Sequence, residues 1–356
     1  MTRLRRKVVL VVIDQLPGHW AEGVYVDRGR GMPPVNVKGY HELGLIPNIS
    51  YLIRSGLWVV RAWNKGVCDT RHGMRYLAVG SYARPLYDSE YWRHSEDYSE
   101  EEKVGFFEFA KEYYRGELKC AVFGGWYERG YFYVPDTIVS PHCTKIAVHN
   151  TVEWSDMILW RNFVRPYMDF NPDFNLMLVY FPTFDVLNMC PSYLEGEGTN
   201  PFTSKHLYIK LLDSVIGEMV DYLKARRLWE ETVLVLASDH GYHLGCDVAR
   251  RMGASTPNWC CGHGEPFDCV VWDFERDEPT GTYSGGPRRV TFIVSGGGLP
   301  EECRGKLVRE AEIIDVVPTI ADILEVPYKC EGRSVLRMRA EDQADYPGGG
   351  ETHGAA

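Results

Sequence analysis

Three apolar runs in this chain end on or just before an acidic side chain, and that coincidence limits the fold more than any other feature of the sequence. Lys7 to Ile13 (KVVLVVI) is followed at once by Asp14, Thr232 to Ala237 (TVLVLA) by Ser238, Asp239 and His240, and Leu176 to Phe181 (LMLVYF) by Asp185 four residues on. Short runs rich in β-branched and aliphatic residues, with no polar alternation, read as strands covered on both faces, hence as a parallel sheet between layers of helix. Arg289 to Val294 reads the same way. From Ser204 to Arg227, Leu207, Leu211, Leu212, Val215, Ile216, Met219, Val220 and Leu223 recur at helical spacing, and this segment leads into the Thr232 run as an α-to-β unit. The expected fold is α/β: a doubly wound, mostly parallel central sheet with helices on both faces and a small C-terminal addition. Ligands of such sheets sit beyond the carboxyl ends of the strands, where Asp14, Asp185, Asp239 and His240 would gather.

The 356 residues suit one large α/β unit over residues 1–340, with loop insertions at about 24–45 and 246–287, where Gly, Pro and turn residues replace periodicity, and a flexible tail at 341–356. A hydrophobic fraction of 45% supports a substantial core. The net charge of −10 opposes nucleic-acid binding over the whole surface, which needs a basic face. The opening MTRLRRKVVLVVIDQ is basic like a leader, but its apolar run stops at Ile13, so it reads as a strand; nothing approaches the roughly 18 apolar residues of a membrane span. The expectation is a soluble, cytoplasmic protein with no membrane partner. Ten scattered cysteines without a CxxC pair are expected to be reduced, the alternative being a bridge from Cys260 or Cys261 to Cys246 or Cys269.

Asp239 and His240 at a strand end, with Asp14 at another, offer two oxygens and one nitrogen, a donor set suited to Zn²⁺ or Mn²⁺, with Ca²⁺ or Mg²⁺ as alternatives. The tetrad SDHG by itself equally fits a turn with an N-capping Asp.

Six segments in order resemble the alkaline phosphatase and sulfatase superfamily. They are VVLVVIDQ at the first strand, IPNISYLIRSGLWVVRAW, the long run YIKLLDSVIGEMVDYLKARRLWEETVLVLASDHGYHLG, then RRVTFIVSGGG, EIIDVVPTIADILEVP and EGRSVL, spanning Lys7 to Leu336. The resemblance implies a nucleophile at the start of a helix that ends in a glycine ten residues later, and Thr70 and Gly80 in GVCDTRHGMRYLAVGSY have that spacing. At the positive end of a helix an anionic phosphoryl group is favoured, and a bound metal lowers the hydroxyl pKa. Cys68 is the rival nucleophile, but CDTRH lacks the Pro and the Arg of the Cys-x-Pro-x-Arg maturation pattern of sulfatases. A plain helix N-cap is the alternative reading of Thr70.

The metal ligands implied are Asp14, Asp239, His240 and Thr70, with Gln15 or Asp185 as further oxygen donors. Two-metal relatives add to the equivalent of Asp185 a His four residues later and a late His; here Met189 and Tyr283 stand in those places, so one ion is expected rather than two unless His142, His149, His243 or His263 substitutes. The Gly-Lys-Trp-His turn of sulfatases corresponds to Gly124, Gly125, Trp126 and Tyr127, without its Lys and His, which favours phosphate over sulfate esters. His243 is the first choice for protonating the leaving group, His72 the second. Arg71, Arg75 and Lys145 are candidates for steadying the nonbridging oxygens, each equally readable as surface charge. The function implied is a metal-dependent hydrolase of a small-molecule phosphate ester, a phosphodiester or phosphomonoester, acting through a covalent phosphothreonine. The alternatives are a sulfatase or phosphonate monoester hydrolase, a non-catalytic metal-binding descendant, and a phosphomutase.

Overall fold

The computed structural model describes residues 6–20, 34–82, 105–126, 144–149, 155–187, 204–242, 270–273, 278–283 and 286–338. The strands in chain order are β1 (Lys7–Ile13), β2 (Leu57–Trp63), β3 (Cys120–Trp126), β4 (Thr144–His149), β5 (Leu176–Phe181), β6 (Thr232–Ala237), β7 (Val270–Asp273), β8 (Glu278–Tyr283), β9 (Arg289–Val290), β10 (Phe292–Ser295) and β11 (Lys306–Glu312). All but β7 and β8 form one sheet in the order β11-β2-β10-β6-β1-β5-β3-β4, with β9 paired to β2. β1 lies at its middle, parallel to β5 on one side and β6 on the other, so Asp14 and Asp239 leave neighbouring strands at the same edge.

Alternation along the central strands divides the core in two. Val8, Leu10 and Val12 with Leu176, Leu178 and Tyr180 face one helical layer; Val9, Val11 and Ile13 with Met177, Val179 and Phe181 face the other. The first layer contains α3 (Thr70–Val79), α4 (Phe106–Tyr113) and α9 (Val316–Ile323). The second contains α1 (Val37–Glu42), α2 (Pro47–Ser55), α6 (Arg165–Phe170) and the long α8 (Ser204–Ala225). In the same second layer, α5 (Ser155–Leu159) leads through a π-helical turn into α6, and the short α7 (Thr183–Val186) follows β5. The doubly wound sheet with helices on both faces is thus the observed fold, and the first three expected strands have the expected bounds.

Several expectations need correction. The run Arg289 to Val294 is two pieces, β9 and β10, antiparallel to their neighbours, because Thr291 leaves the ladder between them. Its N–H donates to Ser238 Oγ (2.8 Å) and its hydroxyl to Leu16 O (2.9 Å). Leu207 is 54% exposed and lies off the buried face of α8. The insertion expected at 24–45 holds α1, whose N-cap Asn36 accepts from Gly39 N–H (2.7 Å), and the insertion at 246–287 holds the separate antiparallel pair β7–β8. Residues 24–33, 246–269 and the tail 341–356 lie outside the described residues, as do Cys246, Cys260, Cys261 and Cys269. Among the described residues Cys68, Cys120, Cys303 and Cys330 are unbridged, and no helix is long and apolar enough to cross a membrane.

Candidate metal and catalytic centre

Asp14 extends the β1 ladder by one step, its N–H bonding to Phe181 O (3.0 Å), and the chain then turns at Gln15 through a left-handed conformation with φ of 64°. A side chain in that region costs free energy and persists where the surroundings impose it. Here the turn aims Gln15 N–H at Asp239 Oδ1 (3.1 Å), and that oxygen also accepts from His240 N–H (2.9 Å). Asp239 therefore binds the two turns to each other, and no described helix begins there for it to cap.

Thr70 enters from above on α3. The N-cap of this helix is Asp69, whose carboxylate accepts from His72 N–H (2.8 Å), which leaves Thr70 as the first helical residue rather than the cap. Its hydroxyl lies 3.3 Å from His240 Nε2 and 3.5 Å from Asp14 Oδ2. At the far end Gly80 closes the helix, where the resemblance places a glycine, in a left-handed conformation with φ 66°. Cys68 is buried with its thiol directed at Asn64 O (3.6 Å) and Gly66 O (3.5 Å), inside the β2–α3 connection.

The donors converge. One ligand atom each from Asp14, Asp185 and His240 lie within 4.8 Å of one another, and all three residues are buried. Asp239 Oδ2 is 3.6 Å, and Asp14 Oδ1 3.2 Å, from His240 Nε2. Beyond that imidazole these two buried oxygens have no hydrogen-bond partner among the described residues. The other ring nitrogen, Nδ1, faces Gly241 O at 2.8 Å, so a neutral ring donating there presents Nε2 bare to the carboxylates. Three carboxylates buried together cost several kcal/mol each unless positive charge joins them.

The electrostatics express the same demand. Burial, reinforced by Asp14, pushes the Asp239 carboxyl well above the usual carboxylate range and Asp185 up to about 7. Burial works to depress His240, but Asp239 and Asp14 outweigh it and raise the imidazole to about 10. Without an ion the imidazolium supplies positive charge beside Asp14 and Asp239. Carboxylate oxygens, an imidazole nitrogen and a hydroxyl, with two of the oxygens otherwise unpartnered, fit a borderline divalent cation.

Other residues were not legible as site residues. Tyr180 donates its hydroxyl to Asp14 Oδ2 and is buried on the α3 side of β5. Asn64 donates to Asp239 O (3.0 Å) from the end of β2. Gly73 brings α3 against Asp239: a Cβ there would fall 2.7 Å from Asp239 Cβ and nearer still to its carbonyl oxygen. Strand alternation carries a signal for Tyr180, since Val12 and Tyr180 share a face and Asp14 continues it. Lys205 has no such signal.

Not every expected residue joins the cluster. The Gln15 side-chain oxygen accepts from Lys205 Nζ and its amide donates to Asp185 Oδ1, so the oxygen proposed as a ligand is engaged elsewhere. His72 pairs with its own N-cap, Nδ1 to Asp69 Oδ1 at 2.8 Å. Arg75 is 3% exposed, which removes the reading of a surface charge. His142, Met189, His243 and His263 lie outside the described residues, as do the side chains of Arg71, Lys145, His149 and Tyr283.

A family model described as type I phosphodiesterase / nucleotide pyrophosphatase matches residues 82–252, and one described as sulfatase matches residues 192–326. Solved structures align over most of the chain. Murine ectonucleotide pyrophosphatase / phosphodiesterase 5, an inactive form in complex with AMP, is 12% identical with a TM-score of 0.55, covering 92% of this chain and 97% of that one. A sulfatase from Pseudoalteromonas sp. is 14% identical with a TM-score of 0.52, covering 90% and 68%. The phosphonate monoester hydrolase of Agrobacterium radiobacter is 13% identical with a TM-score of 0.53, covering 93% and 76%. At such identities the structural likeness is one of fold.

Proposed function

Since this chain belongs to the alkaline phosphatase and sulfatase superfamily, whose sulfatase and phosphodiesterase families are hydrolases of sulfate or phosphate esters, we propose that it cleaves a small phosphate ester by nucleophilic attack of Thr70. The observation that carries this reading is the position of the Thr70 hydroxyl, at the first residue of α3 and within 3.5 Å of both His240 Nε2 and Asp14 Oδ2. Cys68, the rival, directs its thiol into backbone carbonyls instead.

Asp14, Asp239, His240 and Thr70, with Asp185 beside them, would hold a single divalent ion, Zn²⁺ or Mn²⁺ by the donor set. When bound, the ion supplies positive charge that lowers the hydroxyl pKa of Thr70 and offsets charge on the phosphoryl oxygens. The positive end of α3 favours the same anionic group. In the first step Thr70 Oγ1 gives up its proton to solvent and forms a bond to phosphorus, the bond to the leaving oxygen breaks, and that oxygen takes a proton, for which His243, three residues after His240, is our candidate donor. Water then attacks phosphorus, the Thr70 Oγ1–phosphorus bond breaks, phosphate or its monoester departs, one proton of the attacking water goes to Thr70 Oγ1 and the other leaves to solvent or to His243. Gly124, Gly125 and Trp126 lie on β3 without the Lys of the sulfatase turn, which favours phosphorus over sulfur as the centre attacked.

The test is hydrolysis of bis-p-nitrophenyl phosphate by chelator-stripped protein reloaded with Mn²⁺ or Zn²⁺. Turnover that returns with metal, falls at least about 10³-fold in Thr70→Ala and persists in Cys68→Ala is expected. Turnover that ignores metal, or that Cys68→Ala abolishes, would overturn the reading.

A further inference from the structure

Resting on the reading of Thr70 as a nucleophile beside a metal turn, we infer that Asn64 is a positioning residue for the hydrolytic step. Its side-chain amide ties the connection that carries Thr70 to the backbone of the metal turn, and so sets how far the nucleophile stands from the metal ligands. It acts through Asp239 and the β2–α3 connection rather than on the reacting atoms.

Asn64 directly follows β2 and is fully buried. Its N–H donates to Arg288 O (2.7 Å). Its side-chain oxygen accepts from Gly66 N–H (2.9 Å), and its side-chain nitrogen donates to two carbonyls, Asp239 O (3.0 Å) and Val67 O (3.3 Å). An amide donates through nitrogen and accepts through oxygen, so the Gly66 N–H fixes which way round the group lies. The bond to Gly66 is an ordinary Asx-turn, which an aspartate forms equally well. The two donated bonds are what the amide adds, and one of them crosses to the metal turn.

Those bonds limit the place of Thr70. The Tyr76 hydroxyl, on α3, accepts from Val67 N–H (3.1 Å), which closes the connection back onto the helix that begins at Thr70. Connection and helix both meet the metal turn at the carbonyl of Asp239. Gly73 abuts that carbonyl from α3, where a Cβ would collide with it. Asn64 donates to the same oxygen from the end of β2. The steric contact sets the closest approach and the directional hydrogen bond the widest. Between them they hold the metal turn against α3, with the Thr70 hydroxyl 3.3 Å from His240 Nε2.

Loss of the donor should slow the chemical step and spare metal binding, because the Asp239 carboxylate keeps its bonds from Gln15 N–H and His240 N–H. The experiment is steady-state hydrolysis of bis-p-nitrophenyl phosphate by the Mn²⁺-loaded full chain, with Mn²⁺ affinity by calorimetry, on wild type, Asn64→Asp and Asn64→Ala, rates being referred to folded protein. Asn64→Asp keeps the Asx-turn at nearly the same size, and Asn64→Ala removes the amide without burying a charge; either decides alone should the other not fold. The expected result is a kcat lowered about 10- to 100-fold in both, with KM and the Mn²⁺ dissociation constant within about threefold of wild type. An Asn64→Asp chain that turns over like wild type, a loss confined to KM or to Mn²⁺ affinity, or failure of both variants to fold would assign Asn64 to the scaffold and overturn the inference, leaving the Thr70 reading intact. A wild-type chain without turnover, or undiminished turnover by Thr70→Ala, would overturn both.

Discussion

Gly73 of α3 is packed against Asp239 so closely that a methyl group at residue 73 would stand 2.7 Å from Asp239 Cβ. This contact sets the height of α3 above the metal turn, and with it the reach of Thr70, which precedes Gly73 by less than one helical turn. Gly73→Ala removes a flexible residue from a helix, worth about 0.8–1 kcal/mol in its favour. Overpacking of about 1–3 kcal/mol opposes this gain. The expected outcome is a net loss of stability by urea denaturation together with a fall in turnover of about 10-fold or more, since small misplacements of a nucleophile are expensive. Unchanged turnover would show that α3 is not positioned by this contact.

Tyr180 donates to the same Asp14 oxygen that faces Thr70. Tyr180→Phe keeps the ring in the core and removes only the donor. Partners of metal ligands typically contribute 10- to 100-fold in affinity, so a loss of roughly that size in Mn²⁺ binding is expected by calorimetry, without loss of the folded state.

Two buried histidines predict an acid limb of stability. Burial, with Lys210 and Lys205 nearby, lowers His206 to about 4, and burial, with Arg289, Arg61 and Lys38, holds His19 well below its ordinary value. The folded-state pKa is depressed in both, so the unfolded chain takes up protons first as pH falls. The stabilisation is present above the ordinary imidazole pKa of 6.5 and is lost on acidification towards the folded value. For His206 the loss amounts to roughly 3 kcal/mol between pH 6.5 and 4. Denaturation midpoints at several pH values should fall over this window, and the fall should be smaller in His206→Asn.

Much of the fold was legible because the strands announce themselves. β1, β5 and β6 are buried on both faces, so their runs are almost wholly apolar, with Asp14 next after β1 and Asp239 second after β6. Thr70 and Gly80 were singled out through the resemblance, which implies a helix of that spacing. Strand direction was not: the run at 289–294 has the composition of a parallel strand, and only the tertiary bonds of Thr291 to Ser238 and Leu16 reveal the break. Lys205 was illegible for a related reason. It lies in an amphipathic helix 190 positions from Gln15, and a lysine near a helix start reads as solvated charge until the fold buries it. Tyr180 reads as one more apolar strand residue, its hydroxyl gaining meaning only beside Asp14.

Attack by the hydroxyl of Thr70 leaves a covalent trace, and capturing it is the most direct measurement. Mn²⁺-loaded wild-type protein is mixed with bis-p-nitrophenyl phosphate, quenched in acid during turnover, digested and mapped by mass spectrometry. A nitrophenyl-phosphoryl adduct on Thr70, absent from Thr70→Ala, is the expected result. An adduct on any other residue, or undiminished turnover by Thr70→Ala, would contradict it.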